Sequence, residues 1–464
     1  SLYAAGSRYE DGAVEYELHY EENTFEFFTS DKTPEGFDGL RDAFIGPYRT
    51  ERNPLGVEKG RLSGSFGKCL NHCGALQRNV TLAPGQTARL CFFLGAGDAA
   101  RARAIREKYT EEKRDAAFRA LTDHWEKRLN RLTVKTPSPE MNTSLNIWNY
   151  YQSQINVSFS RFASFIEVGG RTGLGYRDTA QDAMCIPHAD PAMCLARIRQ
   201  LLRGQVSRGY GLHLFDPAWF EEVKSQSFVS PTVVPAPDKA SMIHGLKDVC
   251  ADDALWLIPA IAEYLRETGE TGFLREEIPY ADGPVASVYE HMKAILDFSF
   301  EQVGSHGVCK GLRADWNDCL NLGGGESAMV SFLLLWAVNH FCDVAEHAGH
   351  EGDARLYRGK ADAMRETCQN VLWDGAWFLR GITGKGKPIG TREAAEGKVH
   401  LESNAWAVVG GAATREQAVS CMDAVYYALF TPYGLMLNAP SFTKPDDDIG
   451  FVTRVYPGVK ENGS

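Results

Sequence analysis

The sequence predicts an antiparallel β-sheet domain, then a helical linker, then a large domain of paired helices arranged as an α/α toroid. Three observations support this fold class. Residues 1–98 alternate apolar and polar side chains, residues 99–136 are dense in charge at helical spacing, and residues 137–464 contain long amphipathic stretches separated by loops. A chain of 464 residues is longer than one small core requires, which agrees with a division into several domains.

The first 98 residues show the two-residue period of half-buried strands. Residues 14–20 read VEYELHY and residues 88–94 read ARLCFFL, and Gly, Asp and Asn residues separate such runs. Because successive side chains of a strand point to opposite faces, this alternation places one face against a core and the other in water. We therefore predict part of an N-terminal sheet domain at 1–98.

The segment 99–136 is the predicted linker. Charged residues crowd the stretch from Glu107 to Arg114, and Trp125 and Leu129 follow at helical spacing. We interpret the segment as one or two helices whose charges form a solvated face.

Beyond Pro137 the apolar residues recur with the period of amphipathic helices. The loops between these helices hold most of the glycine, arginine, carboxylate and aromatic residues that could bind a ligand. This organisation suits an α/α toroid better than a helical bundle, and it predicts a catalytic domain at 137–464. The predicted helices cover 192–205, 253–267, 288–301, 327–348, 354–372 and 415–429.

The overall composition excludes several classes of function. A formal net charge of −11 argues against a nucleic-acid-binding protein, which needs a basic field. No apolar run is long enough for a membrane span, and the N-terminus lacks a signal-peptide pattern. The 11 scattered cysteines suit reduced thiols. We expect a soluble cytoplasmic protein without nucleic-acid or membrane partners.

Cys69, His72 and Cys73 have a spacing that could contribute to a metal site. No second ligand pair follows at zinc-site spacing, so small buried residues near a sheet are the favoured interpretation. We expect neither a metal nor a cofactor.

The first loop that favours carbohydrate chemistry covers 169–182 and reads GGRTGLGYRDTAQD. Its glycines let a ligand approach the backbone, and Arg171, Arg177 and Asp178 can together bind an anion and a sugar hydroxyl. A nucleotide-binding loop is the alternative, but neither a Walker lysine nor a preceding apolar strand is present. Carbohydrate or phosphate binding is favoured over a purely structural loop.

The second loop covers 311–321 and reads GLRADWNDCLN, so that Trp316 stands between Asp315 and Asp318. An indole face packs on the C–H groups of a sugar, while a carboxylic acid can protonate a glycosidic oxygen. A calcium-binding loop is the alternative, and it is weak because the glutamate at the twelfth position is missing.

Three further segments hold weaker candidates. His213, His244 and the pair Asp252-Asp253 could line an acceptor subsite, although a single histidine is more often structural. Near the C-terminus, residues 456–463 read YPGVKENG, a turn that presents the carboxylate of Glu461.

Taken together, these segments resemble the inverting phosphorylases of glycoside-hydrolase family 94 over essentially the whole chain. The resemblance implies a β-sandwich, a helical linker and an (α/α)6 barrel. It also implies a homodimer that splits a β-linked disaccharide with inorganic phosphate as co-substrate. The residues of 169–182 are most similar to members acting on N,N′-diacetylchitobiose, whose products would be α-N-acetylglucosamine-1-phosphate and N-acetylglucosamine.

The resemblance also assigns roles to single residues. One acid suffices because phosphate is already an anionic nucleophile and needs no base. We expect the acid to be kept protonated by burial near the tryptophan or by the neighbouring Asp315. The implied roles are general acid for Asp318, donor-sugar platform for Trp316, donor-sugar binding for Arg171, Arg177 and Asp178, phosphate contact for Arg177, and a further sugar-binding carboxylate for Glu461.

In the family, a phosphate-binding histidine and a Thr-Gly pair follow the Lys-Glu-Asn-Gly turn, so the remaining phosphate ligands are expected beyond Ser464. The chain also begins without methionine. We therefore expect a truncated barrel with little or no activity by itself, within a longer active protein.

Three other functions stay open. The first is a phosphorylase for cellobiose or another β-glucoside. The second is an inverting glycoside hydrolase with Glu461 or Asp178 as base. The third is a non-catalytic carbohydrate-binding or scaffold protein.

Overall fold

The computed structural model describes residues 5–18, 25–159, 174–220 and 246–463. The described chain divides into two compact units, with the boundary between Arg128 and Leu129. The domain limits 1–98, 99–136 and 137–464 stay predictions.

The first unit is built on antiparallel strands. One sheet has the order β1-β2-β3-β6, and a second pairs β4 with β5 and carries an irregularity between Asp38 and Leu40. Ala13, Phe27 and Ala102 form a buried cluster. The elements are β1 Ala5–Glu10, β2 Ala13–Leu18, β3 Phe25–Ser30, β4 Gly36–Leu40, α1 Arg41–Ile45, α2 Leu55–Glu58, β5 His72–Gln77, β6 Phe92–Ala96, α3 Ala99–Lys108 and α4 Glu111–Leu129.

Each of the two alternating runs predicted in this unit is a strand over part of its length. Of the run at 14–20, residues 14–18 lie in β2, and residues 19–20 are outside the described part. The run at 88–94 is strand only from Phe92 onward, so the predicted start was wrong. Cys91 accepts a hydrogen bond from the Asp31 backbone, where the pairing with β3 ends.

His72 does not offer a free ring nitrogen to a metal. Its Nδ1 lies 3.1 Å from Ser7 Oγ and its Nε2 lies 3.0 Å from the Ala5 carbonyl oxygen. These contacts tie β5 to β1 and favour the structural interpretation of Cys69, His72 and Cys73.

The second unit is helical, and short strand pairs connect its helices. The helices are α5 Pro139–Thr143, which continues through a π-helical segment Ser144–Asn149 into α6 Tyr150–Phe159, then α7 Tyr176–Ala183, α8 Pro191–Arg203, α9 Leu257–Thr268, α10 Val288–Glu301, α11 Ala328–His347, α12 Glu351–Leu372, α13 Leu401–Val409 and α14 Arg415–Leu429. The strands are β7 Leu174–Gly175, β8 Leu214–Phe215, β9 Glu277–Pro279, β10 Val285–Ser287, β11 Glu326–Ser327, β12 Gly381–Ile382, β13 Pro388–Ile389, β14 Val399–His400, β15 Phe430–Thr431, β16 Gly434–Leu435 and β17 Asn438–Ala439.

The predicted helices agree closely with these bounds, because their apolar period and their end signals are local. A 3-10 turn at Asp253–Trp256 precedes α9, so the predicted helix 253–267 is α-helical only from Leu257. Helix α9 ends at Gly269, whose φ of 70° is the left-handed conformation that glycine adopts without strain. Ser327 caps α11 by accepting a hydrogen bond from the Val330 backbone.

Helix α11 is the central helix of the second unit. Among the described residues it alone has the length and apolar composition of a membrane span, and 78% of that stretch is buried inside the protein. It contacts α9, α10, α12 and α13. This environment is that of a helix in the protein core.

A buried histidine makes the stability of this unit depend on pH. His291 is fully buried, with Nδ1 2.8 Å from Gln205 Oε1 and Nε2 3.0 Å from the Ile278 carbonyl oxygen, and burial lowers its pKa to about 4. An unfolded histidine titrates near about 6.5, so as pH falls the unfolded chain takes up the proton first. The stability that neutral His291 confers is present above about pH 6.5 and is lost as pH falls toward 4, at up to about 1.4 kcal/mol per pH unit.

We expect the free energy of unfolding, measured in urea, to fall across this pH window. His291→Gln should reduce the pH dependence of the free energy of unfolding by up to about 1.4 kcal/mol per pH unit, the contribution of one proton. The matched control is His347→Gln, at an exposed position, and it should keep the wild-type slope. An identical slope in both variants would contradict the prediction.

Candidate active site

Arg177 connects three loops that are distant in sequence. It is the second residue of α7 and only 6% exposed. Its Nη1 donates to Asp252 Oδ1 at 3.2 Å and to the Asp315 carbonyl oxygen at 3.0 Å, and its Nη2 donates to Asp318 Oδ1 at 2.8 Å. The guanidinium therefore fixes the predicted general acid against the N-terminus of α7.

Asp252 holds Arg177 from the protein interior. It is fully buried and accepts a hydrogen bond from Trp256 Nε1 at 3.0 Å. Burial raises the pKa of Asp252 to about 7, although the Arg177 charge acts in the opposite direction. Trp256 packs edge-on against Trp336 and Trp406, with ring centroids 6.0 Å and 5.2 Å away. The anchor of the arginine is thus part of an aromatic core.

A buried ion cluster holds the loop 311–321 on its interior side. Arg380 is fully buried and donates through Nη1 and Nη2 to both carboxylate oxygens of Asp315, at 2.7 and 2.8 Å. Its Nε donates to Glu402 Oε2 at 2.8 Å, and Ser327 donates its hydroxyl to Asp315 at 2.6 Å. Burial acts to raise the pKa of Asp315, but the charge and hydrogen bonds of Arg380 outweigh it and lower that pKa.

This arrangement corrects one expectation. Asp315 was predicted to stand beside Asp318 and help to keep it protonated, but its carboxylate points to Arg380 instead. The predicted burial of Asp318 is also wrong, since its side chain is 47% exposed. The physical reason is the alternation along the loop, in which Asp315 and Asn317 turn inward while Trp316 and Asp318 turn outward.

The exposed side chains of this loop form the candidate site. Trp316 is 37% exposed and lies two residues from Asp318, whose carboxylate is held by Arg177. Beyond the acid, Leu320 and Leu322 anchor the loop in a buried apolar cluster. An indole face and a carboxylic acid are therefore presented together on a rigid support, as sugar binding and proton transfer require.

The other predicted site residues lie in three different situations. Arg171 and His244 fall outside the described residues. Asp178 is partly buried in the first turn of α7, and a Cβ at Gly175 would lie 2.7 Å from its Oδ2, so a larger residue at 175 would displace this carboxylate. Glu461 is partly buried near Cys319, and among the described residues its buried Oε2 has no hydrogen-bond partner. The chain thus brings Glu461 to the loop of Asp318.

Arg380 and Glu402 were missed from sequence. Arg380 interrupts the apolar run FLRGI at 378–382. A charged residue within such a run indicates a buried charge with a partner, and this pattern could have identified Arg380 from sequence. Its partners lie 65 and 22 residues away, so the pairing itself has no local signature.

The helical unit with its site in the connecting loops defines an α/α-toroid protein of the carbohydrate-active type. Its fold is shared by a bacterial glucoamylase complexed with acarbose, with a TM-score of 0.54 and 14% sequence identity over 95% of this chain and 61% of that chain. The chain belongs to glycoside hydrolase family 94. Residues 4–112 match the supersandwich domain of that family and residues 124–464 match its catalytic domain, which confirms the resemblance inferred from sequence.

Two relatives carry the name N,N′-diacetylchitobiose phosphorylase. The protein of Vibrio proteolyticus is 56% identical over 472 residues, and that of Vibrio furnissii is 53% identical over 472 residues. A solabiose phosphorylase of Paenibacillus borealis is 29% identical over 98% of this chain. Each Vibrio alignment covers 100% of this chain and 59% of the relative, so the chain spans about three fifths of their length.

Proposed function

We propose that this chain carries the general acid and donor-sugar site of an inverting disaccharide phosphorylase. The proposed reaction splits N,N′-diacetylchitobiose with inorganic phosphate into α-N-acetylglucosamine-1-phosphate and N-acetylglucosamine. The observation that carries the proposal is the 2.8 Å contact of Arg177 with Asp318, in a loop whose Trp316, two residues earlier, is also exposed. The names and the 56% and 53% identities of the Vibrio relatives support the choice of substrate.

The chemistry needs one proton and one anion. Phosphate attacks the anomeric carbon from the face opposite the glycosidic bond, that bond breaks, and Asp318 gives its proton to the leaving oxygen. The configuration at the anomeric carbon is therefore inverted. Phosphate enters as an anion, so no carboxylate is required to activate it.

Arg177 supplies the positive charge. Its Nη1 is held by Asp252 and the Asp315 carbonyl, whereas Nη2 contacts only the exposed carboxylate of Asp318 among the described residues. The hydrogen bond from Nη2 fixes the acid on the leaving-group side of the glycosidic bond, while the guanidinium charge attracts the phosphate anion to the same pocket.

Hydrolysis is the second candidate, and Glu461 favours it because its Oε2 has no hydrogen-bond partner among the described residues. An inverting hydrolase needs a second carboxylate as base to activate water, and Glu461 lies near Cys319 in the loop of Asp318. The dependence of sugar release on phosphate separates the two reactions.

The test uses the full-length protein with diacetylchitobiose, with and without inorganic phosphate. We expect the α-anomer of the sugar phosphate, identified by phosphorus NMR, to form only when phosphate is present. Cellobiose is the substrate control and should react more slowly. Sugar release at full rate without phosphate would establish a hydrolase, and binding without any product would establish a carbohydrate-binding protein.

Several expectations stay predictions: the homodimer, the cytoplasmic location, further phosphate ligands beyond Ser464, and the low activity of this chain by itself. Sedimentation analysis of the full-length protein tests the first of them.

A further inference from the structure

Three potential metal ligands converge near Arg177, at the N-terminus of α7. They are His213, which precedes β8, Cys250, and Asp253 at the start of the 3-10 turn before α9. One ligand atom from each lies within 4.8 Å of the other two, and His213 Nδ1 is 3.1 Å from Asp253 Oδ2. The spacing of these residues along the chain matches no zinc motif, so the sequence by itself does not predict their convergence.

The geometry suits a soft divalent cation. Imidazole, thiolate and carboxylate are the ligands that zinc takes, at about 2.0–2.3 Å, and in a tetrahedral site the ligand atoms are about 3.3–3.7 Å apart. His213 Nδ1 and Asp253 Oδ2, 3.1 Å apart, lie slightly closer than that range, and no separation exceeds 4.8 Å, so movements of about 1 Å close the site. Calcium and magnesium prefer sites made of oxygen ligands, which this thiol and imidazole do not provide.

Burial and access also fit a bound ion. Cys250 and Asp253 are 2% and 0% exposed, whereas the side chain of His213 is 31% exposed and borders solvent. Two ligands are therefore held in the interior while the third leaves an entry path. With three protein ligands, the fourth position of a tetrahedral ion stays open to water.

The local charge is favourable. Among the described residues, the carboxylates of Asp252, Asp253 and Asp318 and the guanidinium of Arg177 act electrostatically on Cys250. A cation at this point lowers the electrostatic cost of burying the carboxylates together.

We propose that His213, Cys250 and Asp253 form a binding site for a zinc-type divalent cation. The cation replaces the proton of the Cys250 thiol, which is released to solvent, and a water completes the coordination. The ligands of this site do not include Asp318 or Arg177, to which the proposed phosphorolysis assigns the acid and the positive charge. Occupancy ties the segment at 213 to the turn at 250–253 and therefore stabilises the fold.

The test uses Co²⁺ as a spectroscopic probe on full-length protein freed of metal by a chelator. We expect one Co²⁺ per chain, a thiolate-to-cobalt charge-transfer band that Zn²⁺ displaces, and a higher melting temperature. Cys250→Ser should abolish the band. It should also weaken Co²⁺ binding by more than the roughly 10- to 100-fold that is lost when a residue hydrogen-bonded to a metal ligand is replaced. The matched control is Cys185→Ser, at an exposed thiol, which should keep the band.

His213→Gln and Asp253→Asn provide independent variants if Cys250→Ser does not fold, as judged by near-ultraviolet circular dichroism. Each should weaken Co²⁺ binding and remove the metal-dependent rise in melting temperature. Absence of the band in the wild type, its persistence in Cys250→Ser, or its loss in Cys185→Ser would each overturn the proposal. None of these readouts depends on phosphorolysis, so the site and the proposed reaction fail separately.

Discussion

Asp318→Asn is expected to slow phosphorolysis by roughly 10²- to 10⁴-fold, because the amide cannot give a proton to the leaving oxygen. The substitution keeps the size of the side chain and one oxygen that can accept from Arg177, which now bonds Asp318 at 2.8 Å. The fold should therefore survive. The measurement is the steady-state rate of sugar-phosphate formation by the full-length protein, together with its thermal melting.

A second substrate separates proton transfer from a structural effect. An aryl β-glycoside with a good leaving group needs little protonation, so Asp318→Asn should lose much less activity on it. The matched control is Asp343→Asn, whose carboxylate lies on the surface and pairs with Arg266, and it should keep the wild-type rate. Near wild-type turnover of diacetylchitobiose by Asp318→Asn would remove Asp318 from the role of acid.

Arg380→Met is expected to lower the free energy of unfolding by about 3–5 kcal/mol. The guanidinium is fully buried between Asp315 and Glu402, and its removal leaves two carboxylates in the interior without a counter-charge. Since Asp315 anchors the loop of Asp318, phosphorolysis should also fall. Chemical denaturation measures the first effect, and the steady-state rate measures the second.

The matched control for Arg380→Met is Arg266→Met. Arg266 is 43% exposed and pairs with Glu263 and Asp343, so its loss should cost at most about 1 kcal/mol. Replacing Asp315, Arg380 and Glu402 together by apolar residues should restore part of the lost stability, because no charge then stays buried. Equal stability of Arg380→Met and Arg266→Met would show that the buried cluster contributes little.

Much of the helical unit is determined by the local sequence. Helices α10 and α14 begin and end where the sequence predicts, because amphipathic period and capping residues act within a few turns. The strand at 88–94 was less well predicted, since β pairing depends on a partner elsewhere in the chain.

The site divides in the same way. Residue type and spacing indicated sugar or anion binding at Trp316, its flanking carboxylates and Arg177, and the family resemblance assigned the individual roles. Sequence did not show that Asp315 faces Arg380 rather than Asp318. Nor did it show that Asp252 anchors Arg177.

These partners are set by the tertiary structure alone. Arg177 meets Asp318 across 141 residues and Arg380 meets Asp315 across 65 residues, and each pairing follows from how the helices pack. Local sequence thus determined the helices and the kinds of reactive side chain. Only the tertiary structure decided which charges are paired. A buried charge needs a nearby counter-charge, and packing brings that counter-charge from a distant part of the chain.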